Sequence, residues 1–408
     1  MKILYIHQYF KTPEEPGGTR SYWISQELIK RGHQVTMLCS TNPRHPEATR
    51  QNVDGIDVFY VKNEYNNYMP AYKKVWSFVS FIMSALKVAK KENGYDLVFA
   101  TSTPLTVGYI AMRLKKTKKW PYIFEVRDLW PEFPIQVGAI KNKYVIKYLR
   151  GLEKRIYDNS EFVVALSPGM QEGVVAVGTP MEKTAMIPNM SKPDNFYPHE
   201  PNLEIVKEFG LDMNCFNVVH FGSMGKANGL EYIIEAAKVL QDRGVNDVNF
   251  WFMGQGATEP VIKRLSELYK LRNVKFLGFH KMSIVSEIVN CSSASITTFR
   301  NLPILATNSP NKLFDSLSAG KPIIVNSAGW TKMMVEEGDC GFFVDPDNPS
   351  VLADKIIEIK DDKELLARWG NNARKLSIEK YDKALLSAQV ADVIENVYYK
   401  RQTLPNDV

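Results

Sequence analysis

The stretch that points most clearly to chemistry is NSPNKLFDSLSAGKP, residues 308–322, where Lys312 precedes Asp315 in what reads as a short helix. Ser309 suits the capping position, and Pro310 suits the first helical position because its missing N–H is not needed there. Gly320 suits the residue just past the end. The N–H groups around Asn311 and Lys312 would then lack helical partners, and the helix tip would carry partial positive charge, which together suit a phosphate. So short a helix has little stability of its own and must be held by the fold. Taken alone it fits an anion site and an ordinary surface helix equally well.

A second candidate is HFGSMGKANGLEYIIEAA. Here Gly222, Gly225 and Gly229 loosen the turn, and Lys226 places a cation before a helix expected over residues 229–240. Amides plus a cation would bind a diphosphate and neutralise it as a leaving group. A solvated lysine in a glycine-rich turn is the plain alternative. The N-terminal counterpart is PEEPGGTRSYWIS, in which Gly17 and Gly18 precede a helix and would let an anion approach the backbone. It is not GxGxxG, so a simple loop explains it at least as well.

These loops need a frame. Apolar, β-rich runs alternate with helical patterns along the whole chain: KILYIHQY, QVTMLCS, DVFYVK, DLVFATS, YIFEVR and FVVALS come first. FNVVHFGS, NFWFMG, VKFLGF, ASITTF, PIIVNS and GFFVD follow. Such alternation implies parallel sheets covered by helices on both faces, and two series imply two Rossmann-like domains. The best boundary is IPNMSKPDNFYPHEPN, residues 187–202, where four prolines interrupt the pattern. This gives domains over residues 1–190 and 191–387, with a last helix at about 388–404 expected to pack back on the first domain. At 408 residues, with 45% hydrophobic and 24% charged residues, the chain can build two cores and is neither disordered nor fibrous.

With these pieces in place the chain resembles the retaining glycosyltransferases of family 4. The resemblance is carried by PGG followed by LIKRGHQVT, by GS with GLEYIIEAA, and by NVKFLG, LFDSLSAGKPII and GFFVDPDN, in the family's order. EVRDLWPEFP with SPNKLFDSLSAGKP is similar to the branch that transfers amino- or deoxysugars in O-antigen and capsule assembly. The resemblance implies the GT-B fold, an α/β architecture of two doubly wound parallel-sheet domains facing across a cleft. It also implies that Asp315 accepts hydrogen bonds from the ribose hydroxyls of a nucleotide sugar, a task suited to a carboxylate. Ser309, Pro310, Asn311 and Lys312 would lie beside the diphosphate and sugar, with Gly17 and Gly18 lining the donor site. Phe279 would meet the base. Ser223 takes the place of a frequent arginine, which leaves the diphosphate charge to Lys226 and Lys312. Where most members have a first glutamate eight residues before the second, this chain has Thr307, so an unusual donor such as a deoxy or N-acetylated amino sugar is expected.

The resemblance implies a front-face path to retention, in which the leaving diphosphate helps to take the acceptor proton, so catalysis would rest on stabilising that group and positioning the acceptor. Arg127 stands about where many members have a histidine. Arginine cannot act as a base, so it would clamp a phosphate or hydroxyl. Asp128, Glu132 and His7 fit assisting or structural roles equally. No cofactor is expected beyond the nucleotide sugar, which is a co-substrate. No metal is expected either: Asp345 and Asp347 flank a proline and read as a turn, and the histidines lack ligand spacing.

Charge identifies the acceptor side. Residues 1–200 carry 27 Lys and Arg against 19 Asp and Glu, whereas residues 201–408 carry 24 against 26. The basic half could meet a phosphorylated substrate or an anionic membrane, and no nucleic-acid motif accompanies it. Residues 75–89, VWSFVSFIMSALKVA, would span roughly 22 Å as a helix, short of the roughly 30 Å hydrocarbon core, and read first as a helix buried against the sheet and second as one that dips into a membrane. In NKYVIKYLRGLEKRIYD, Val145, Leu149, Leu152 and Ile156 form an apolar face, and Lys143, Lys147, Arg150 and Lys154 form a cationic one that could meet anionic lipid or water. The expected acceptor is a polyprenyl-diphosphate-linked saccharide at the inner face of the membrane. Four scattered cysteines and a start without a signal-peptide pattern fit a reducing cytoplasm. A sugar-nucleotide epimerase of the same fold and a periplasmic sugar-binding protein are the rival readings.

Overall fold

The computed structural model describes residues 1–15, 17–64 and 69–403. They form two α/β units. The first comprises Met1–Pro13, Thr19–Pro188 and the C-terminal residues from Lys383, and the second comprises Glu14–Gly18 with Asn189–Asp382.

The first unit carries strands β1 (Lys2–Ile6), β2 (Gln34–Ser40), β3 (Thr49–Val53), β4 (Ile56–Val61), β5 (Leu97–Thr101), β6 (Tyr122–Val126), β7 (Phe162–Ala165) and β8 (Thr184–Met186). They are ordered β3-β4-β2-β1-β5-β6-β7-β8. All pairings are parallel except that of β3 with β4. Its helices are α1 (Arg20–Lys30), α2 (Ala71–Lys91), α3 (Thr106–Lys118), α4 (Glu132–Gln136), α5 (Lys143–Asn159) and α6 (Pro168–Ala176). The chain moves outward from β1 through β2 and then crosses to the other side of β1 for β5. That reversal opens a crevice at the carboxyl ends of β1 and β5.

Two strands lie outside the apolar runs. β3, TRQNV, is a polar and largely exposed edge strand, and β8 has only three residues. Asp54 and Gly55 join β3 to β4 at φ of 50° and 87°, the left-handed pair of a type I′ hairpin turn. The Asp-Gly dipeptide was the available signal.

The segment 75–89 belongs to α2 but is not the buried helix expected. Phe81, Ala85 and Ala89 turn inward, while Tyr72, Val75, Trp76, Val79 and Met83 form an exposed face. The helix is an outer layer that packs one stripe against α3 and β4, and among the described residues nothing covers the other side. In α5, capped by Asn142 through the N–H groups of Tyr144 and Val145, Leu152 and Ile156 are buried as expected, but Val145 is 44% exposed beside Tyr144 and Tyr148.

The second unit carries β9 (Phe216–Ser223), β10 (Val248–Gln255), β11 (Val274–Gly278), β12 (Ala294–Thr297), β13 (Ile323–Val325) and β14 (Gly341–Phe343), ordered β11-β10-β9-β12-β13-β14 and all parallel. Each falls on an apolar run read as a strand. Val218, Phe250, Phe252 and Ile296 feed one core, and Val219, Trp251 and Met253 feed the other, so both faces are dry. The covering helices are α7 (Leu203–Glu208), α8 (Glu231–Asp242), α9 (Glu259–Leu268), α10 (Met282–Cys291), α11 (Asn311–Ser318), α12 (Trp330–Glu337), α13 (Pro349–Ile359) and α14 (Lys363–Glu379). Here the reversal falls between β9 and β12.

The last helix, α15 (Lys383–Thr403), belongs to the first unit. Arg31 Nη1 reaches Asp392 at 2.6 Å and Glu395 at 2.8 Å, and the Lys383 ammonium lies 4.2 Å from the centre of the Trp23 ring. Position 404 of the expected helix lies outside the described residues, as does Pro16 in the PEEPGG loop.

Candidate active site

In the second unit the loops at the carboxyl ends of β9 and β12 are tied together. Asn228 donates to the Ser223 carbonyl, Thr298 Oγ1 donates to Asn228 O at 2.8 Å, and Arg300 N donates to Ala227 O at 2.9 Å. Asn326, just past β13, pairs with both backbone groups of Phe299 at 2.7 and 3.0 Å. Gly254, at φ +135°, packs so closely on the β9 end that a Cβ there would sit 1.9 Å from Gly222 O. Ser223 is exposed at the tip of β9, and Lys226 stands exposed on a single 3-10 turn, Lys226–Asn228. The helix expected from residue 229 begins at Glu231, because Gly229 adopts φ +57°. Phe279, just after β11, is 52% exposed and offers a bare aromatic face.

α11 begins at Asn311, and its cap differs from the expected one. Pro310 holds the capping position with no side-chain bond, while Ser309 Oγ accepts the Asn189 N–H at 3.2 Å and Ser309 O accepts the Asn189 side-chain amide. The serine is thus used to fasten the helix entrance to the segment 189–196. Gly320 follows the helix at φ +61°, as expected of that position.

Lys312 reaches back from α11 to β9. Its Nζ lies 3.1 Å from Nε2 of His220, which is buried, and its Cε passes close to Gly222. Burial and the lysine hold His220 well below its usual pKa, so the ring is neutral and Nε2 accepts from the ammonium. Burial also pushes Lys312 down to about 7. Among the described residues no carboxylate pairs with it. A half-buried ammonium with no carboxylate partner among the described residues, beside a helix tip and a strand-end loop, is a place where an anion gains more than it would in water.

Asp315 is buried, with Oδ1 2.8 Å from Lys192 Nζ. Burial raises its pKa and Lys192 opposes that rise. Lys192 comes from the proline-containing stretch read as a boundary. The main chain does pass between units there, but residues 189–193 are buried against α11: Ser191 Oγ donates to Phe314 O at 3.1 Å, and Lys192 N donates to Ser318 Oγ at 3.0 Å. Thr307 Oγ1 donates to Ile304 O at 2.8 Å at the end of a 3-10 turn. Asp345 Oδ1 accepts the Asp347 N–H, the turn contact expected of that pair.

In the first unit the crevice between β1 and β5 holds a separate polar cluster. His7 is buried, with Nδ1 2.8 Å from Ser21 Oγ and Nε2 3.3 Å from Arg127 Nη1. Burial and Arg127 lower its pKa, so the ring is neutral, and because a guanidinium only donates, the Nδ1 proton points to Ser21. His7 therefore orients Arg127. Asp128 Oδ2 accepts from Thr103 Oγ1 at 2.8 Å, and burial raises its pKa. Glu132 bonds Arg150 at 2.7 Å, which makes it a tether between α4 and α5. Beneath lies a buried ion pair not evident in the sequence: Arg20 Nε meets Glu125 Oε1 at 2.8 Å, and Thr101 fills the other carboxylate oxygen at 3.0 Å. Gly17, at φ +133°, and Gly18 belong with the second unit.

Residues 202–376 match the model for glycosyl transferases group 1, and residues 17–190 match the model for a glycosyl transferase 4-like domain. Both halves are glycosyltransferase domains. A curated relative of this glycosyltransferase is the alpha-D-kanosaminyltransferase of Streptomyces kanamyceticus, 25% identical over 197 residues; the alignment spans 48% of this chain and 49% of that one, about half the length of each. Among solved structures, the sucrose-phosphate synthase of Thermosynechococcus elongatus superposes with a TM-score of 0.79 at 16% identity, covering 98% of this chain and 99% of that one. The Anabaena protein HepE, solved in complex with UDP and glucose, gives 0.73 at 19% identity over 97% and 100%. At these identities the likeness concerns the fold, which is GT-B.

Proposed function

We propose that this glycosyltransferase moves a sugar, with retention at the anomeric carbon, from a UDP-linked donor to a polyprenyl-diphosphate-linked saccharide in surface-polysaccharide synthesis. The observation that carries the reading is Lys312: a half-buried ammonium with no carboxylate partner among the described residues, seated on the buried His220 at the topological switch point of the second sheet. There it would bind the donor diphosphate and neutralise it as the anomeric C–O bond breaks, with Lys226 reaching the outer oxygens. The α11 tip would add the N–H groups of Asn311 and Lys312, and Asp315 would hold the ribose through the oxygen that Lys192 leaves available. Phe279 would stack on the base. Arg127 and Asp128, oriented by His7 and Thr103, would hold the acceptor.

A UDP donor is supported by solved neighbours that carry UDP, and an amino sugar by the kanosaminyltransferase relative and by Thr307 standing where a glutamate is usual. An anionic membrane surface as partner is supported by the exposed aromatic face of α2 and by Tyr144 and Tyr148 among the lysines of α5. No helix of the described residues is long and apolar enough to cross a membrane.

Incubation with a panel of nucleotide sugars, with and without lipid-linked saccharide, tests the reading. Acceptor-dependent release of UDP with an α-linked product is expected. Isomerised nucleotide sugar in the absence of acceptor would replace transfer by epimerisation.

A further inference from the structure

A cavity of about 620 Å³ in the first unit lies away from the cluster just described. It is lined by Arg113, Lys115, Lys116, Lys119, Arg155 and Arg401, so six cations face one concavity. α3 and α5 run back from the strand tips, so their C-terminal ends, which bear five of these residues, stand at the amino edge of the sheet. His7, Arg127 and Asp128 stand at the carboxyl edge. The two places are separate.

Part of the charge is accounted for internally. Glu161 takes Lys115 at 2.8 Å and Arg401 at 2.6 Å, and Lys115 also donates to Asn159 O at the end of α5. Arg113, Lys116, Lys119 and Arg155 have no carboxylate partner among the described residues. All four are exposed, but because they line one concavity they add to a common positive potential there. Lys119 also occupies the left-handed position after α3, at φ +63°, where glycine is ordinarily preferred.

We infer that this pocket binds a compact phosphate anion, either free or as the head of an anionic lipid, at a site independent of sugar transfer. The inference goes beyond the proposed function and stands without it. Lysine acetylation rates read by mass spectrometry test it position by position, so a probe that also enters the nucleotide site does not confuse the result. Two probes are used with the full chain: inorganic pyrophosphate, and phosphatidylcholine vesicles with or without phosphatidylglycerol. At ten times its dissociation constant either probe should slow labelling of Lys116 and Lys119 about tenfold while leaving the exposed Lys30 unchanged. Protection by pyrophosphate assigns a free phosphate, and protection only by phosphatidylglycerol vesicles assigns a lipid head. The variant Arg113→Ala/Arg155→Ala, which keeps both reporter lysines and the Glu161 bonds, should lose at least most of that protection with an unchanged unfolding midpoint. Equal labelling with and without both probes, or full protection in the variant, would overturn the inference.

Discussion

Lys312 and Asp315 lie one turn apart, yet burial acts on them in opposite ways. Lys312 has no carboxylate partner among the described residues, and burial pushes its pKa down to about 7, so at pH 8 most of it would be neutral. A diphosphate would favour the charged form, so UDP binding at pH 8 should take up close to one proton, and affinity should fall as pH rises from 7 to 9. Calorimetry in two buffers of different ionisation enthalpy checks this, and Lys312→Ala should abolish the uptake and lower kcat/KM by about 10²–10³-fold. Asp315 has a partner in Lys192. Asp315→Asn strands that lysine and should cost about 3–5 kcal/mol in urea unfolding, as removal of one member of a buried pair does. Adding Lys192→Met should restore most of the stability but not UDP affinity, if the carboxylate also serves the ribose. Recovery of both would show that Asp315 only holds the helix.

At the scale of elements, the strand-end loops of the second sheet are held by side-chain ties from Asn228, Thr298 and Asn326 and, between β9 and β10, by direct backbone contact. Gly254 and Gly222 touch so closely that no Cβ fits between them. Gly254→Ala should therefore push the β9 loop aside, lowering stability by about 3 kcal/mol or more and weakening UDP binding at least tenfold. Gly244→Ala is the comparison: its φ of +75° is also left-handed, but nothing lies within 4 Å, so a cost of only about 1–2 kcal/mol and unchanged UDP binding are expected. α11 is likewise held from outside itself. Its cap residue makes no side-chain bond, and the helix is held by Asn189, Ser191 and Lys192 from a stretch whose prolines made it look like a linker.

At the scale of the whole molecule, the excess of basic residues in the first 200 positions and the exposed aromatic face of α2 make one prediction. The protein should float with phosphatidylglycerol vesicles at low salt and release at high salt, since exposed charges are screened within about 10 Å at 0.1 M. Trp76→Ser should weaken flotation without altering UDP binding. The sequence by itself determined the alternation of strands and helices, the left-handed Gly320 and the loops in which to look for chemistry. Those features depend on neighbours a few positions away, through side-chain periodicity and turn preferences. Its apolar runs did not mark the polar hairpin strand β3, whose one signal was the Asp-Gly turn, nor the exposure of Trp76, because an apolar stripe does not say which layer will cover it. Only the tertiary structure decided what faces what. His220 and Lys312 meet across 92 residues, and Arg20 and Glu125 across 105. Whether such a charge is paired, neutral or waiting for an anion depends on the dielectric and the partner that folding brings to it, and neither is written in the local order of residues.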